Sequence, residues 1–299
     1  MTMKMKLALE WFLNPDHTPF AIGLEKGWFQ DAGIDLELLQ PEEHLDAPAQ
    51  IADGEIDLAI TEPIHLVADR AAGRPLVGFG RFLHTNGGVM VLGKSGITRP
   101  AELVGKRIQY PGAPGPGGKA IACTMARADG AECSPDDFIP VNHGFEHTKA
   151  LVDDLADAAT LVFYNFEVVE AQERGLEPSY FSLKSWGVPD FCQLHFIADG
   201  SRLARDEALF RRFLSVVQRG IDFIHEHPDA AWDLYKKFAK QERSDRLSDR
   251  IYQATIGCFC HDLSMSDLYW QRLVEWMLES GQIGESIDVA ACFDNRFAF

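Results

Sequence analysis

The sequence contains no apolar run long enough to cross a membrane, so no membrane insertion is expected. Basic residues are also scarce, because 28 lysines and arginines stand against 45 aspartates and glutamates and leave a formal net charge of -17. Nucleic acids and anionic membrane surfaces repel such a protein, and neither is expected as a partner. The basic start MTMKMK precedes an apolar run that stops at Glu10, so no signal-peptide core follows.

The six cysteines lack the spacing of a disulfide framework or of a zinc site. Cys258, Cys260 and His261 are close in sequence, but no second Cys or His pair follows at a standard interval, and their role is left open. We predict no metal site and free, partly buried thiols, which favour a reducing compartment. The chain as it stands is therefore expected in the cytoplasm, or in the periplasm if an export signal has been removed.

Nucleotide-binding signatures are absent as well, because the glycine-rich stretch 111–118 contains neither GK[ST] nor GxGxxG. The stretch opens a predicted helix, so its backbone N–H groups could face a phosphate at the helix N-terminus. A flexible connection is an equally good interpretation. Tyr110, which ends the preceding predicted strand, and Gly112 are candidate binding residues.

Strand-like and helix-like segments alternate regularly along the 299 residues, which is typical of a mostly parallel sheet flanked by helices. The alternation starts again after the apolar segment 87–92, and segment 191–197 reads as a return crossing. We therefore predict an α/β protein of two lobes. Residues 1–92 plus 191–299, with its C-terminal helices, form the first lobe, and residues 93–190 form the second.

Polar and aromatic residues follow several of the predicted strands. Trp11, Asn14 and His17 lie where the first strand meets the first helix, which is where open α/β sheets bind ligands. Trp11 as a core residue and His17 as a helix cap are the alternatives from this stretch alone. Asn142 follows a strand of the second lobe in the same way.

Four segments together resemble the family that handles the pyrimidine half of thiamin: LEWFLNPDHTPF, EKGWFQDAGIDLELLQP, GEIDLAITEPIHLVADRAAGRPL and GKSGITRPAELVGKRIQYPG. The resemblance implies a type-II periplasmic-binding-protein fold with a ligand cleft between its lobes. One branch of the family, the ThiY-like proteins, carries a formylated aminopyrimidine to an ABC transporter. The other, the fungal-type pyrimidine-phosphate synthases, builds the ring from pyridoxal phosphate and a histidine of its own chain.

Two departures from the synthase pattern favour binding over chemistry. The resemblance puts a Schiff-base lysine where this sequence has Thr61, and a hydroxyl cannot form an imine with pyridoxal phosphate. Of the synthase's cysteine-rich run, only Phe191 and Cys192 match, although His65 does match the donor histidine by position. No cofactor is expected, and pyridoxal phosphate enters only if the protein is a synthase.

The resemblance also implies a set of ligand-binding residues. Trp11 would stack on a flat ring, and Glu167 would pair with the amino group and ring nitrogen of an aminopyrimidine. Glu167 as an ordinary acid at a helix start is the alternative. The full candidate set is Trp11, Asn14, His17, Thr61, Glu62, His65, Tyr110, Gly112, Asn142, Tyr164, Asn165 and Glu167.

The sequence thus predicts reversible binding of a small heteroaromatic ligand, a thiamin-pyrimidine precursor of the formylaminopyrimidine or hydroxymethylpyrimidine type. The protein would serve as the substrate-binding protein of an ABC transporter, with the permease as its partner. A cytoplasmic synthase-like enzyme and a small-molecule sensor with the same fold are the alternatives.

Overall fold

The computed structural model describes residues 2–41, 46–112, 115–241 and 245–298, which form two compact α/β units. The first unit comprises the chain up to His84, Gln193–Gln271 and the chain from Ile287 onward. The second comprises Thr85–Cys192 and Arg272–Ser286. None of the helices in the described part of the chain is long and apolar enough to cross a membrane.

The strands of both units are short, and most are buried. In chain order they are β1 Met3–Ala8, β2 Ile34–Leu39, β3 Leu58–Thr61, β4 Leu76–His84, β5 Gly87–Leu92, β6 Arg107–Gln109, β7 Ile139–Val141, β8 Ala158–Phe163, β9 Pro178–Ser182 and β10 Gln193–Asp199.

The helices between and after the strands are α1 Thr18–Glu25, α2 Trp28–Asp31, α3 Ala47–Ala52, α4 Pro63–Ala71, α5 Gly117–Ala128, α6 His147–Val152, α7 Val169–Glu173, α8 Gly200–Arg205, α9 Glu207–Glu226, α10 Pro228–Phe238, α11 Arg246–Thr255 and α12 Asp267–Glu279. Prolines open several of them, at Pro63 and Pro228 among others, because a first helical turn needs no N–H donor there.

The sheet of the first unit has the order β2-β1-β3-β10-β4. β1 runs parallel to β2 and β3, and β10 lies antiparallel between β3 and β4. Beneath it an aromatic cluster joins the sheet to α1 and α9: Phe82 lies 5.2 Å from Phe20 and 5.0 Å from Phe196, which lies 5.0 Å from Phe213. These rings are fully buried, so the cluster holds α1 and α9 against the sheet.

The sheet of the second unit has the order β7-β6-β8-β5-β9. β6 runs parallel to β7 and β8, whereas β5 is antiparallel to β8 and β9. Each unit therefore has a mainly parallel sheet into which one antiparallel strand is inserted, in agreement with the predicted α/β fold.

The boundaries between the units differ from those expected from the sequence. Segment 87–92, assigned to the first lobe, forms β5 of the second sheet because its backbone pairs with β8 and β9. The return falls at Gln193 instead of residue 191. Residues 272–286 also pack with the second unit, where Trp276 stacks on Phe191 at 5.9 Å and donates its indole N–H to Thr124 at 3.1 Å.

Candidate functional site

In the first unit, candidate residues follow two neighbouring parallel strands. β1 and β3 pair at Leu7–Leu58 and Ala8–Ala59, so the residues after them lie at the same carboxyl edge of the sheet. Trp11 comes three residues after the end of β1, which ends at Ala8. Thr61 ends β3, and Glu62 and His65 belong to the start of α4.

Asn14 and His17 build the turn that carries the chain from β1 into α1. Asn14 Oδ1 accepts the N–H of Asp16 at 2.8 Å, and the Asn14 N–H donates to His17 Nδ1 at 3.1 Å. Both side chains are almost fully buried. This reciprocal arrangement is a capping box around the 3-10 turn Pro15–His17. The two residues therefore fix the geometry of the chain next to Trp11.

Glu10 is not among the candidate residues predicted from the sequence, where it only marks the end of an apolar run. His17 Nε2 lies 3.2 Å from both of its carboxylate oxygens. Because Nδ1 accepts the N–H of Asn14, the proton of the neutral ring lies on Nε2 and is donated to Glu10. Burial disfavours the imidazolium and Glu10 favours it, and the net direction of the His17 pKa is upward. A charged residue two positions after the buried end of β1 was the available signal.

Glu62 is the most strongly perturbed acid at this edge. Burial, and then the nearby charge of Glu10, raise the pKa of Glu62 to about 8. Near neutral pH its carboxyl group is therefore mostly protonated, with one O–H donor and one carbonyl acceptor. His65 Nδ1 lies 3.7 Å from Glu62 Oε2, which with a neutral acid is a contact and not an ion pair.

His65 and Thr61 form the rest of this edge. The Thr61 hydroxyl lies 3.4 Å from His65 Nδ1, and the imidazole side chain is 42% exposed. His195 on β10 stands opposite Thr61 in the antiparallel pairing, so both side chains lie on the same face of the sheet. Burial, followed by the proximity of His65, lowers the pKa of His195 to about 3, so this buried ring is neutral.

The aromatic part of the edge is formed by two consecutive residues. Trp11 is half-buried and packs edge-on against Phe12, with ring centroids 4.5 Å apart. Phe12 is 44% exposed. An indole beside protonatable acids gives a surface suited to a flat ring with polar substituents.

In the second unit, the candidate residues again follow parallel strands. β6 lies between β7 and β8, so Tyr110, Asn142 and Tyr164, which follow these strands, lie at one carboxyl edge. Asn142 Nδ2 donates to Pro111 O at 2.8 Å, and Asn142 Oδ1 accepts the N–H of Gly144 at 2.9 Å. Asn142 thus ties the loop after β6 to the loop after β7.

Gly112 and its neighbours enclose the ring of Tyr110, which is buried. A Cβ at Gly112, Gly117 or Gly118 would lie 2.7, 2.6 or 2.5 Å from atoms of Tyr110, so a side chain at any of these glycines would collide with it. Gly112, Gly117 and Gly118 therefore allow close packing on Tyr110. Residues 113 and 114 of the predicted loop lie outside the described residues.

The segment that carries Glu167 begins in irregular backbone. Leu161 in β8 has a φ of 59°, and the pairing of β8 with β5 shifts register there, which marks a bulge. A π-helical turn, Tyr164–Val168, follows directly. Both features are uncommon and are enriched at functional sites.

Within this turn, two of the candidates are buried and one is exposed. Glu167 Oε2 accepts the Phe163 N–H at 2.8 Å, and Asn165 Oδ1 accepts the Thr85 hydroxyl at 2.6 Å. Tyr164 is 46% exposed and meets the edge of Tyr180, with centroids 5.2 Å apart. The candidates thus form two groups, each at the carboxyl edge of its own sheet.

The cysteine and histidine residues near position 260, whose role the sequence leaves open, lie in packing contacts. Among the described residues, no group of three or more His, Cys, Asp or Glu side chains is placed to hold a metal ion. Phe259, between the two cysteines, bridges to Leu83, and His261 stacks on His225 with ring centroids 4.2 Å apart. Parallel rings do not direct their nitrogen lone pairs to one point, so this stack is a packing contact.

Comparison with known proteins identifies the family. The family profile "NMT1/THI5 like" matches residues 14–231, which is most of the chain. A 4-amino-5-hydroxymethyl-2-methylpyrimidine phosphate synthase from Legionella pneumophila is 30% identical over 98% of this chain and 92% of its own length. A formylaminopyrimidine-binding protein from Halalkalibacterium halodurans is 27% identical over 76% of this chain and 68% of its own.

Among solved structures, the alkanesulfonate-binding protein SsuA from Xanthomonas axonopodis superposes with a TM-score of 0.75 at 12% identity, covering 98% of both chains. SsuA from Escherichia coli gives a TM-score of 0.73 at 12% identity, covering 97% of this chain and 92% of its own. At such identity the likeness shows the fold alone. The chain therefore has the predicted type-II periplasmic-binding-protein fold and belongs to the NMT1/THI5-like family.

Proposed function

We propose that the protein reversibly binds a thiamin-pyrimidine precursor of the formylaminopyrimidine or hydroxymethylpyrimidine type. The observation that carries this proposal is the end of β3, where Thr61 places a hydroxyl 3.4 Å from His65 Nδ1. A synthase that uses pyridoxal phosphate needs an amine at this position to form an imine, and a hydroxyl cannot supply one. The missing amine at Thr61 therefore favours reversible binding over that chemistry.

The chemistry of the carboxyl edge of the first sheet suits such a ligand. An aminopyrimidine presents a ring nitrogen that accepts beside an exocyclic amine that donates. Protonated Glu62 offers the complementary pair, an O–H and a carbonyl, on one carboxyl group. Trp11 supplies an aromatic face of the kind on which a flat ring stacks. The relative from Halalkalibacterium halodurans, named for binding formylaminopyrimidine, supports the same ligand class.

The proposal extends to delivery of the ligand to the permease of an ABC transporter, which is the role that the resemblance implies for the binding branch. That role would require the protein to work in the periplasm. A small-molecule sensor would use the same binding edge without a permease. Capture of the permease by the ligand-loaded protein, and not by the ligand-free protein, would distinguish transport from sensing.

A synthase-like activity is the second candidate, favoured by the Legionella pneumophila relative and by the accessible His65. In that activity His65 would donate ring atoms and would be consumed. Its weakness is the missing amine at Thr61.

The deciding experiment combines binding and trapping. Native mass spectrometry of freshly purified protein should show a bound pyrimidine, and calorimetry should give reversible binding of formylaminopyrimidine or hydroxymethylpyrimidine. Incubation with pyridoxal phosphate and borohydride should leave the parent without an adduct at Thr61, whereas Thr61→Lys should gain one. A pyrimidine product at one equivalent per chain, with His65 altered in the parent, would establish the synthase instead.

A further inference from the structure

Two cysteines of the second unit lie in direct contact. Cys123 is on α5 and Cys133 is in the loop that follows it, and their sulfur atoms are 3.7 Å apart. Each sulfur also lies near the backbone carbonyl of the other residue, at 3.7 and 3.9 Å. A disulfide needs the two sulfurs only ~1.7 Å closer than this, within reach of side-chain rotation and small backbone adjustment.

The contact is fixed by the backbone around it. After α5 the chain turns back at Gly130, whose φ of 91° belongs to the left-handed region that favours glycine. The Ala131 N–H donates to Ala126 O at 2.9 Å, and Arg127 Nε donates to Cys133 O at 2.8 Å. These hydrogen bonds hold the loop against the last turns of α5, and the position of the loop keeps the two thiols next to each other.

The two thiols differ in accessibility. Cys123 is almost fully buried, and burial raises the pKa of its thiol to about 11. Cys133 is partly exposed. In thiol–disulfide exchange the accessible sulfur is attacked or attacks first, and the buried sulfur resolves the mixed disulfide. Cys133 is thus placed to act as the attacking cysteine and Cys123 as the resolving cysteine.

We propose that Cys123 and Cys133 form a reversible disulfide, which makes this helix–loop junction a redox-sensitive modification site. The oxidant is a disulfide of the glutathione class. The Cys133 thiolate attacks one of its sulfurs and forms a mixed disulfide, releasing one glutathione thiol. Cys123 Sγ then displaces the second glutathione. The protein thiols lose two protons and two electrons, and one glutathione disulfide becomes two thiols.

The Cys123–Cys133 disulfide would link α5 covalently to the loop before β7. The disulfide would stabilise the second unit by restricting the unfolded chain, although its short covalent ring restricts that chain less than a long one would. The dithiol should persist in a reducing compartment, and the disulfide in an oxidising one. This inference does not depend on the proposed ligand.

The test uses the full chain, incubated with glutathione disulfide without denaturant and then alkylated. Before alkylation we expect an intact mass lower by about 2 Da, and after unfolding and alkylation we expect four labelled thiols instead of six and a linked peptide pair containing Cys123 and Cys133. The midpoint of thermal unfolding should rise by about 3–8 °C, and dithiothreitol should reverse the rise.

Three variants make the outcome specific. Cys133→Ser and Cys123→Ser should each abolish both the loss of about 2 Da and the rise in the midpoint, and Cys123→Ser should instead retain a glutathione adduct on Cys133. Cys258→Ser, at a thiol elsewhere in the chain, should respond as the parent does. If Cys123→Ser does not fold, the peptide map of the parent and the response of Cys133→Ser still show whether the disulfide forms. Six alkylated thiols after oxidation, a stable adduct on Cys133 in the parent, or linkage of another pair would overturn the proposal.

Discussion

Glu62 offers the sharpest prediction for a single residue, because its protonated form already carries the donor and acceptor that an aminopyrimidine needs. Glutamine reproduces that pair and has the same shape, so Glu62→Gln should keep the affinity near pH 7 within about 0.5 kcal/mol. As pH rises through about 8, the parent loses its O–H donor and its affinity should fall, while the variant should not respond.

Calorimetry from about pH 6 to pH 9 on the parent, Glu62→Gln and Glu62→Ala checks this prediction. Glu62→Ala removes both groups and should weaken binding by about 1.5–3 kcal/mol at any of these pH values. If the parent and Glu62→Gln show the same pH dependence, Glu62 does not contact the ligand's polar edge.

Trp11 is expected to supply stacking. Trp11→Ala should weaken ligand binding by about 1–3 kcal/mol and leave the fold intact, since the ring is half-buried and the loss is mainly an aromatic contact. Trp28→Ala is the control, because this ring packs under Arg219 at 3.8 Å, on α2 and away from the end of β1. An unchanged dissociation constant for Trp11→Ala would remove Trp11 from the site.

Glu167 carries the corresponding prediction in the second unit. Glu167→Gln should lose about 1.5–3 kcal/mol of affinity, the range for a hydrogen bond to a charged group, yet stay folded because its amide oxygen can still accept the Phe163 N–H. Glu170→Gln should change affinity by less than about 0.5 kcal/mol, since its carboxylate faces Arg174 at 3.3 Å. Equal dissociation constants for Glu167→Gln and the parent would mean that this segment does not meet the ligand.

Among the elements, the turn between β1 and α1 shows where sequence patterns stop being specific. An Asn followed three residues later by a His at a strand–helix junction suits ligand contacts and a capping box equally well. The structure uses both side chains in the cap, and it ends β1 at Ala8. The end of β1 cannot be read from the sequence, because hydrophobic periodicity does not show where the neighbouring strand stops offering hydrogen bonds.

The capping role of Asn14 can be measured. Asn14→Ala removes the acceptor for the Asp16 N–H and should lower the free energy of unfolding by about 1–2 kcal/mol, whereas Asn14→Asp keeps an acceptor and should lose less. Urea unfolding of the two variants and the parent provides the measurement. Unchanged stability combined with lost ligand affinity would assign Asn14 to the ligand and not to the turn.

At the scale of the whole molecule, the regular alternation of strands and helices was enough to predict an α/β fold with two units. It could not assign segment 87–92, because an apolar strand is buried in whichever sheet it joins, and only its hydrogen-bond partners place it in the second. Segment 272–286 was equally ambiguous, since the contacts of Trp276 with Phe191 and Thr124 are far apart in sequence. Glu10 and Glu62 became informative only through their burial and mutual proximity.

The pH dependence of stability can be traced to individual buried groups. His147 in the second unit is almost fully buried, and burial lowers its pKa to about 4, against an ordinary value of 6.5. Below pH 6.5 His147 is therefore protonated in the unfolded chain but stays neutral in the folded protein. This difference lowers the free energy of unfolding as the pH falls toward 4. Glu62 and Asp69, with pKa values raised to about 8 and about 6, act in the opposite direction, so the parent's total slope is a sum of opposing parts.

A variant isolates the contribution of His147. His147→Phe keeps a planar ring and cannot be protonated. Between pH 6.5 and pH 5, the free energy of unfolding should therefore fall by about 2 kcal/mol more in the parent than in the variant. Urea titrations at the two pH values give the numbers, and parallel pH profiles for His147→Phe and the parent would show that the His147 ring is protonated in the folded state. In that case water or a carboxylate would have to reach α6, and the packing of this helix against the second sheet would be looser than its burial indicates.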